Sequence, residues 1–155
     1  MDRDFEIVEV EDLSGEKAKV YSVILEDDEE TLLDQFFTEN QCYTNDLRKV
    51  LDKIRVMAHD TGCKREYFKE GEGRLGDGMV ALNYTGLLRL YGIYFNNAVV
   101  LFGSGGLKPP GVISWQYSDL LRPKGKLMME IAAEINKRIN KGELKVLPDG
   151  TLLEK

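Results

Sequence analysis

The spacing of apolar and polar positions divides the chain into segments of different period. FEIVEV at 5–10 and KVYSVIL at 19–25 are β-branched and partly alternating. They predict two strands of a hairpin, with Ser14-Gly15 breaking the pattern between them. EDDEE at 26–30 interrupts as a solvated loop. From Thr31 the period becomes helical: Leu32, Leu33, Phe36 and Phe37 form a stripe, and Thr31 with Asp34 makes a variant capping box. A longer helix follows, in which Leu47, Val50, Leu51, Ile54, Met57 and Ala58 recur at helical spacing. Thr44 or Asn45 is placed to cap it and Gly62 to end it. The short link between the two predicts an antiparallel helical hairpin.

KREYFKEGEGRLGDG at 64–78 is glycine-rich and reads as a surface loop or a loose strand. Three apolar runs come next: MVALNY at 79–84, LLRLYGIYF at 87–95 and AVVLFG at 98–103. Thr85-Gly86 and Asn96-Asn97 separate them at hairpin length, which predicts an antiparallel meander. A last helix is expected over 126–141, with Met128, Ile131, Ala132, Ile135 and Ile139 inward and Gly142 as its stop. Residues 142–155 form either a frayed tail or a hairpin around Pro148-Asp149-Gly150. Helices segregated from an antiparallel sheet define the α+β class.

Composition narrows the function classes. At 155 residues, with 43% hydrophobic and 31% charged, the chain suits a single globular domain and no fibrous or disordered class. No apolar run approaches the roughly 20 residues of a membrane span. MDRDFEIVEV lacks the pattern of a secretion signal, and Cys42 and Cys63 are too few for a disulfide scaffold, so a cytoplasmic location is expected. The net charge of −6 argues against a nucleic-acid partner, but the charge is split. Residues 1–34 carry thirteen acids against three bases, whereas residues 35–155 carry a balance of +4.

His59 is the single histidine and has no partner at metal-ligand spacing, so neither a metal nor another cofactor is expected. GSGGLK at 103–108 runs into Pro109-Pro110 instead of a helix, which excludes a P-loop. It leaves Lys108 presented beyond a strand end. There is no Ser-His-Asp or HExxH arrangement.

Arg89 interrupts an apolar strand. With a period of two it shares a face with Tyr91, Ile93 and Phe95. A charge there is costly unless the face is wet or the charge is paired. Either the face is partly open and presents Arg89 with Tyr91, or Arg89 belongs to a structural ion pair. Arg65, Lys69 and Arg74 are interleaved with Tyr67 and Phe68, a pattern suited to single-stranded nucleic acid and diluted by Glu66, Glu70 and Glu72.

The stretch GRLGDGMVALNYTGLLRLYGIYFNNAVVLFGSGGLK, preceded by the helical pair, resembles the RelE/ParE superfamily of toxin–antitoxin toxins, the HigB-like branch in particular. The resemblance spans residues 18–140, with 1–17 as an acidic extension. It implies a RelE-like fold and the toxin component of a type II system, neutralised by a helix-turn-helix antitoxin. The implied activity is metal-independent endoribonuclease attack on mRNA at the ribosome, by a ribose 2′-hydroxyl on the neighbouring phosphate. Arg89 matches the strand arginine of that family, Lys108 the lysine after the last strand, Tyr91 the strand tyrosine and Arg74 the basic residue ahead of the turn. A non-catalytic protein-binding module on the same scaffold is the alternative, since the ParE branch inhibits gyrase without cutting RNA.

Overall fold

The structure is a computed structural model that describes residues 4–69, 78–108 and 119–155. Strands β1 (Phe5–Glu9) and β2 (Lys19–Leu25) form the expected hairpin, with Phe5 opposite Leu25 and Glu9 opposite Tyr21. Ser14 ties its loop: its Oγ accepts from the Val20 amide at 2.9 Å and donates to the Val10 carbonyl at 3.2 Å.

Helix α1 (Leu32–Glu39) begins as its sequence suggests. The Thr31 hydroxyl accepts from the Asp34 amide at 3.0 Å, a cap worth about 1 kcal/mol. Helix α2 (Thr44–Val56) does not use the expected cap. Tyr43 holds the cap position, and the Thr44 hydroxyl instead donates to the Gln41 carbonyl at 3.2 Å. The chain then widens into a π turn, Met57–Thr61, and stops at Gly62, whose φ of 79° favours glycine. Beside that turn the Ala58 carbonyl accepts from the Lys17 and Ala18 amides at 2.8 and 3.1 Å, which fastens the β1–β2 loop to it.

Strands β3 (Phe68–Lys69), β4 (Met79–Leu82), β5 (Leu88–Asn96) and β6 (Val99–Leu107) complete a six-stranded sheet in the order β1-β2-β6-β5-β4-β3. The expected meander is present as β4, β5 and β6. The parallel pairing of β2 with β6 was not foreseen, whereas the short β3 lies in the stretch read as a loop or loose strand and adds an edge to β4. The protein is therefore mixed α+β, with three helices and a mostly antiparallel sheet among the described residues.

Each face of the sheet carries its own apolar layer. On one, Leu33 and Phe36 of α1 and Val50 and Ile54 of α2 pack with Val80, Leu90 and Phe102. On the other, α3 (Arg122–Asn140) packs Met128, Ile131 and Ile135 against Met79, Tyr91, Ile93 and Leu101. Helix α3 starts four residues before the expected 126, with Pro123 in its first turn, where a missing amide hydrogen is harmless. The C-terminal segment resolves as a hairpin of β7 (Leu144–Val146) and β8 (Leu152–Glu154). It docks on β2 through Lys19 Nζ to Thr151 Oγ1 at 3.0 Å and the Leu152 amide to the Tyr21 hydroxyl at 3.2 Å. Among the described residues no helix is long and apolar enough to cross a membrane.

Candidate functional site

The ladder between β5 and β6 sets the geometry of the basic residues. Leu90 pairs with Gly105 and Gly92 with Phe102, so Gly103 and Ser104 together face the single residue Tyr91. This is a β-bulge, which adds one residue to β6 and shifts its alternation. Both bulge residues meet α3: the Ser104 amide points to Met128 Sδ at 3.4 Å, and its hydroxyl donates to the Lys124 carbonyl at 3.1 Å. Beyond the bulge Gly106 pairs with Arg89 and Leu107 with Leu88. Lys108 then falls opposite Leu87, whose carbonyl accepts its amide at 2.9 Å. Residues two apart on a strand share a face, so Lys108 and Arg89 lie on the same one.

Lys69 joins them from the edge strand. It pairs with Ala81, which pairs with Tyr91, so it belongs to that face too. Lys69, Arg89 and Lys108 line a cavity of about 280 Å³ at the end of the sheet, with Leu82, Tyr84, Thr85, Gly86 and Leu88 as its other walls. Arg89 is 7% exposed, Lys108 half-buried and Lys69 exposed. Three cations around one small space concentrate positive charge there, and partial burial strengthens their field over that at an open surface.

The turn that carries this cavity is pinned from α2. Asp46 Oδ1 accepts from the Leu87 amide at 3.0 Å and from the Tyr84 hydroxyl at 3.4 Å. The Tyr84 hydroxyl in turn accepts from the Leu88 amide at 2.8 Å, and Lys49 Nζ donates to the Thr85 carbonyl at 3.3 Å. Burial pushes the Tyr84 phenol up to about 12; the Leu88 bond pulls it down, the Asp46 charge raises it and Arg89 lowers it. Tyr84 keeps its proton at neutral pH and serves as a hydrogen-bonding wall, not as a base.

The remaining sequence candidates separate. Tyr91 is fully buried in the α3-side layer and does not line the cavity, so the expected open face is closed at Tyr91. Arg65 and Tyr67 lie toward α2: Arg65 sits 5.4 Å from the centre of the Tyr94 ring, and Lys53 Nζ is 5.6 Å from that of Tyr67. The Tyr67 and Thr61 hydroxyls are hydrogen-bonded at 3.0 Å. Arg74 lies outside the described residues. The acidic run Glu26–Glu30 leaves β2 at the end of the sheet that carries Lys108, because β2 runs parallel to β6. Tyr84 and Asp46 escaped the sequence reading. A tyrosine directly ahead of a Thr-Gly turn was the available signal, but nothing local says that its hydroxyl closes the turn.

No family model, curated protein or solved structure matches the chain.

Proposed function

We propose that the chain is a RelE/ParE-type toxin whose Lys69–Arg89–Lys108 cavity takes a backbone phosphate of RNA, with mRNA on the ribosome as the target. The observation that carries this reading is the convergence of those three cations, from β3, β5 and the residue just past β6, on one cavity of about 280 Å³. The order of a strand, two helices, a three-stranded meander and a helix supports the RelE-like scaffold. In the cleavage that this family performs, the 2′-oxygen bonds to phosphorus, the 5′-oxygen leaves and charge builds on the phosphoryl oxygens. Arg89 and Lys108 would stabilise that charge from fixed positions. A helix-turn-helix antitoxin is the neutralising partner on this reading.

A second reading, a non-catalytic binding module on the same scaffold, is favoured by one observation. The tyrosine of the cavity, Tyr84, holds its proton, and the described lining residues include neither histidine nor carboxylate to act as base. One experiment separates the two: expression of the chain alone, with growth followed and RNA integrity measured on purified ribosomes. The toxin reading expects growth arrest and cut mRNA, both relieved by Arg89→Ala and Lys108→Ala. Growth arrest with intact RNA selects the binding module, and harmless wild-type protein with intact RNA overturns the toxin reading.

A further inference from the structure

A second cavity adjoins the first. It measures about 310 Å³ and is lined by Lys49, Asp52, Lys53, Tyr84 and Thr85. Tyr84 and Thr85 line both cavities, so the 84–86 turn is their common wall. The Tyr84 ring cannot swing freely, because its hydroxyl is held by the Leu88 amide and by Asp46. A fixed aromatic ring between two cation-lined spaces has the features of a stacking platform, since every base has a π-face and each flanking phosphate meets a cation. Asp52 is the acid in the second lining, and Arg55 lies 3.9 Å from it.

The same chemistry continues past the second cavity. Lys53, which lines it, also stands over Tyr67, and the next such pair is Arg65 over Tyr94. Cations and aromatic rings thus alternate from Lys108 across Tyr84 to α2 and on to Arg65. A duplex keeps its bases stacked inside and presents only its backbone to such a track. An unpaired strand presents both phosphates and rings.

From this arrangement we infer that the site takes single-stranded RNA spanning both cavities, with one phosphate at Arg89 and Lys108, a base on Tyr84, and the next phosphate at Lys49 and Lys53. The inference rests on the RNA-binding reading of the first cavity and adds a second subsite and a path to it.

Fluorescence anisotropy on the full chain tests it with three labelled probes: a uridine dinucleotide, a single-stranded uridine oligomer of about eight nucleotides, and an RNA duplex of matching length. Lys49→Ala/Lys53→Ala removes one exposed and one half-buried side chain, neither of them in the core, together with the Lys49 bond to the Thr85 carbonyl. This variant is expected to weaken the oligomer about tenfold and the dinucleotide hardly at all. Tyr84→Phe, which keeps the ring, is expected to bind the oligomer better than Tyr84→Leu, which removes it. Unchanged oligomer binding in the double lysine variant, with Arg89→Ala still weakening both single-stranded probes, overturns the second subsite and leaves the first cavity standing. Equal affinity for duplex and single strand overturns the strandedness. Loss of no probe in Arg89→Ala overturns the reading of the first cavity and the inference with it.

Discussion

Arg89 and Lys108 share one face of the sheet because β6 carries one residue more than β5 opposite Tyr91. Counted without the bulge at Gly103 and Ser104, the alternation along β6 would turn Lys108 to the α1 and α2 side. The extra residue returns it to Arg89, and Leu107 correspondingly packs into the opposite layer. Lys69 reaches the same face with no such device, through the straight register of β3, β4 and β5. The basic cavity is thus a product of strand register, not of neighbouring positions in the chain.

The strand after the bulge leaves no room for a side chain at Gly105. A Cβ there would run into the Arg89 carbonyl oxygen, which is backbone and cannot turn aside. Gly105→Ala is expected to cost about 1–3 kcal/mol, measured by urea unfolding, and to weaken RNA binding by displacing Arg89. A variant as stable as wild type would contradict this packing.

Asp46 holds the cavity turn without lining the cavity. Asp46→Ala removes the acceptor of the Leu87 amide and of the Tyr84 hydroxyl. About 0.5–1.5 kcal/mol of stability should be lost, since the Leu87 amide is exposed and can turn to water. The Tyr84 phenol should also titrate lower, since the Asp46 charge raises it, while burial keeps it above the usual tyrosine range. Absorbance titration of the phenolate reads the shift, and no change would show that the carboxylate does not reach Tyr84 in solution.

Tyr91→Phe should leave RNA affinity and growth arrest unchanged, because Tyr91 lies in the α3-side layer away from the cavity lining. A loss of either in a variant that folds normally would return Tyr91 to the chemistry.

How far the site could be read from the residues alone depended on range. Local period located β1, β2, both N-terminal helices and the meander, because each signal lies within about ten residues. The interrupting charge at Arg89 and the lysine at Lys108 were legible for the same reason. The parallel pairing of β2 with β6 joins residues eighty apart, Lys19 with Val99 for one, and no local pattern encodes it. Alternation correctly grouped Arg89 with Tyr91, but it cannot say where a covering layer ends. Helix α3 closes that face over Tyr91, whereas Arg89 reaches the cavity at the end of the sheet. Tyr84 was missed because its role lies in a hydrogen bond to Asp46, on a helix about forty residues earlier.

Stability should fall at alkaline pH through two groups. Burial pushes the Cys63 thiol from 9.0 and the Tyr84 phenol from 10.0 up to about 12 each. Between the ordinary and the raised values the folded chain holds a proton that the unfolded chain has lost. Stability is therefore full below the ordinary value and declines as pH rises to the raised one, by up to about 1.4 kcal/mol per pH unit for the buried Cys63 and by less for the half-buried Tyr84, where solvent screens the charge. Urea unfolding across that window should show a shallower decline in Cys63→Ala than in wild type, and identical slopes would contradict the burial of the thiol.

The claim that Arg89, Lys108 and Lys69 hold an RNA phosphate is tested most directly by the salt dependence of RNA binding. Affinity for a single-stranded oligomer should fall as salt rises, and Lys108→Ala should bind more weakly with its log–log slope shallower by about 0.7. A Lys108→Ala variant with wild-type affinity and an unchanged slope would contradict the account.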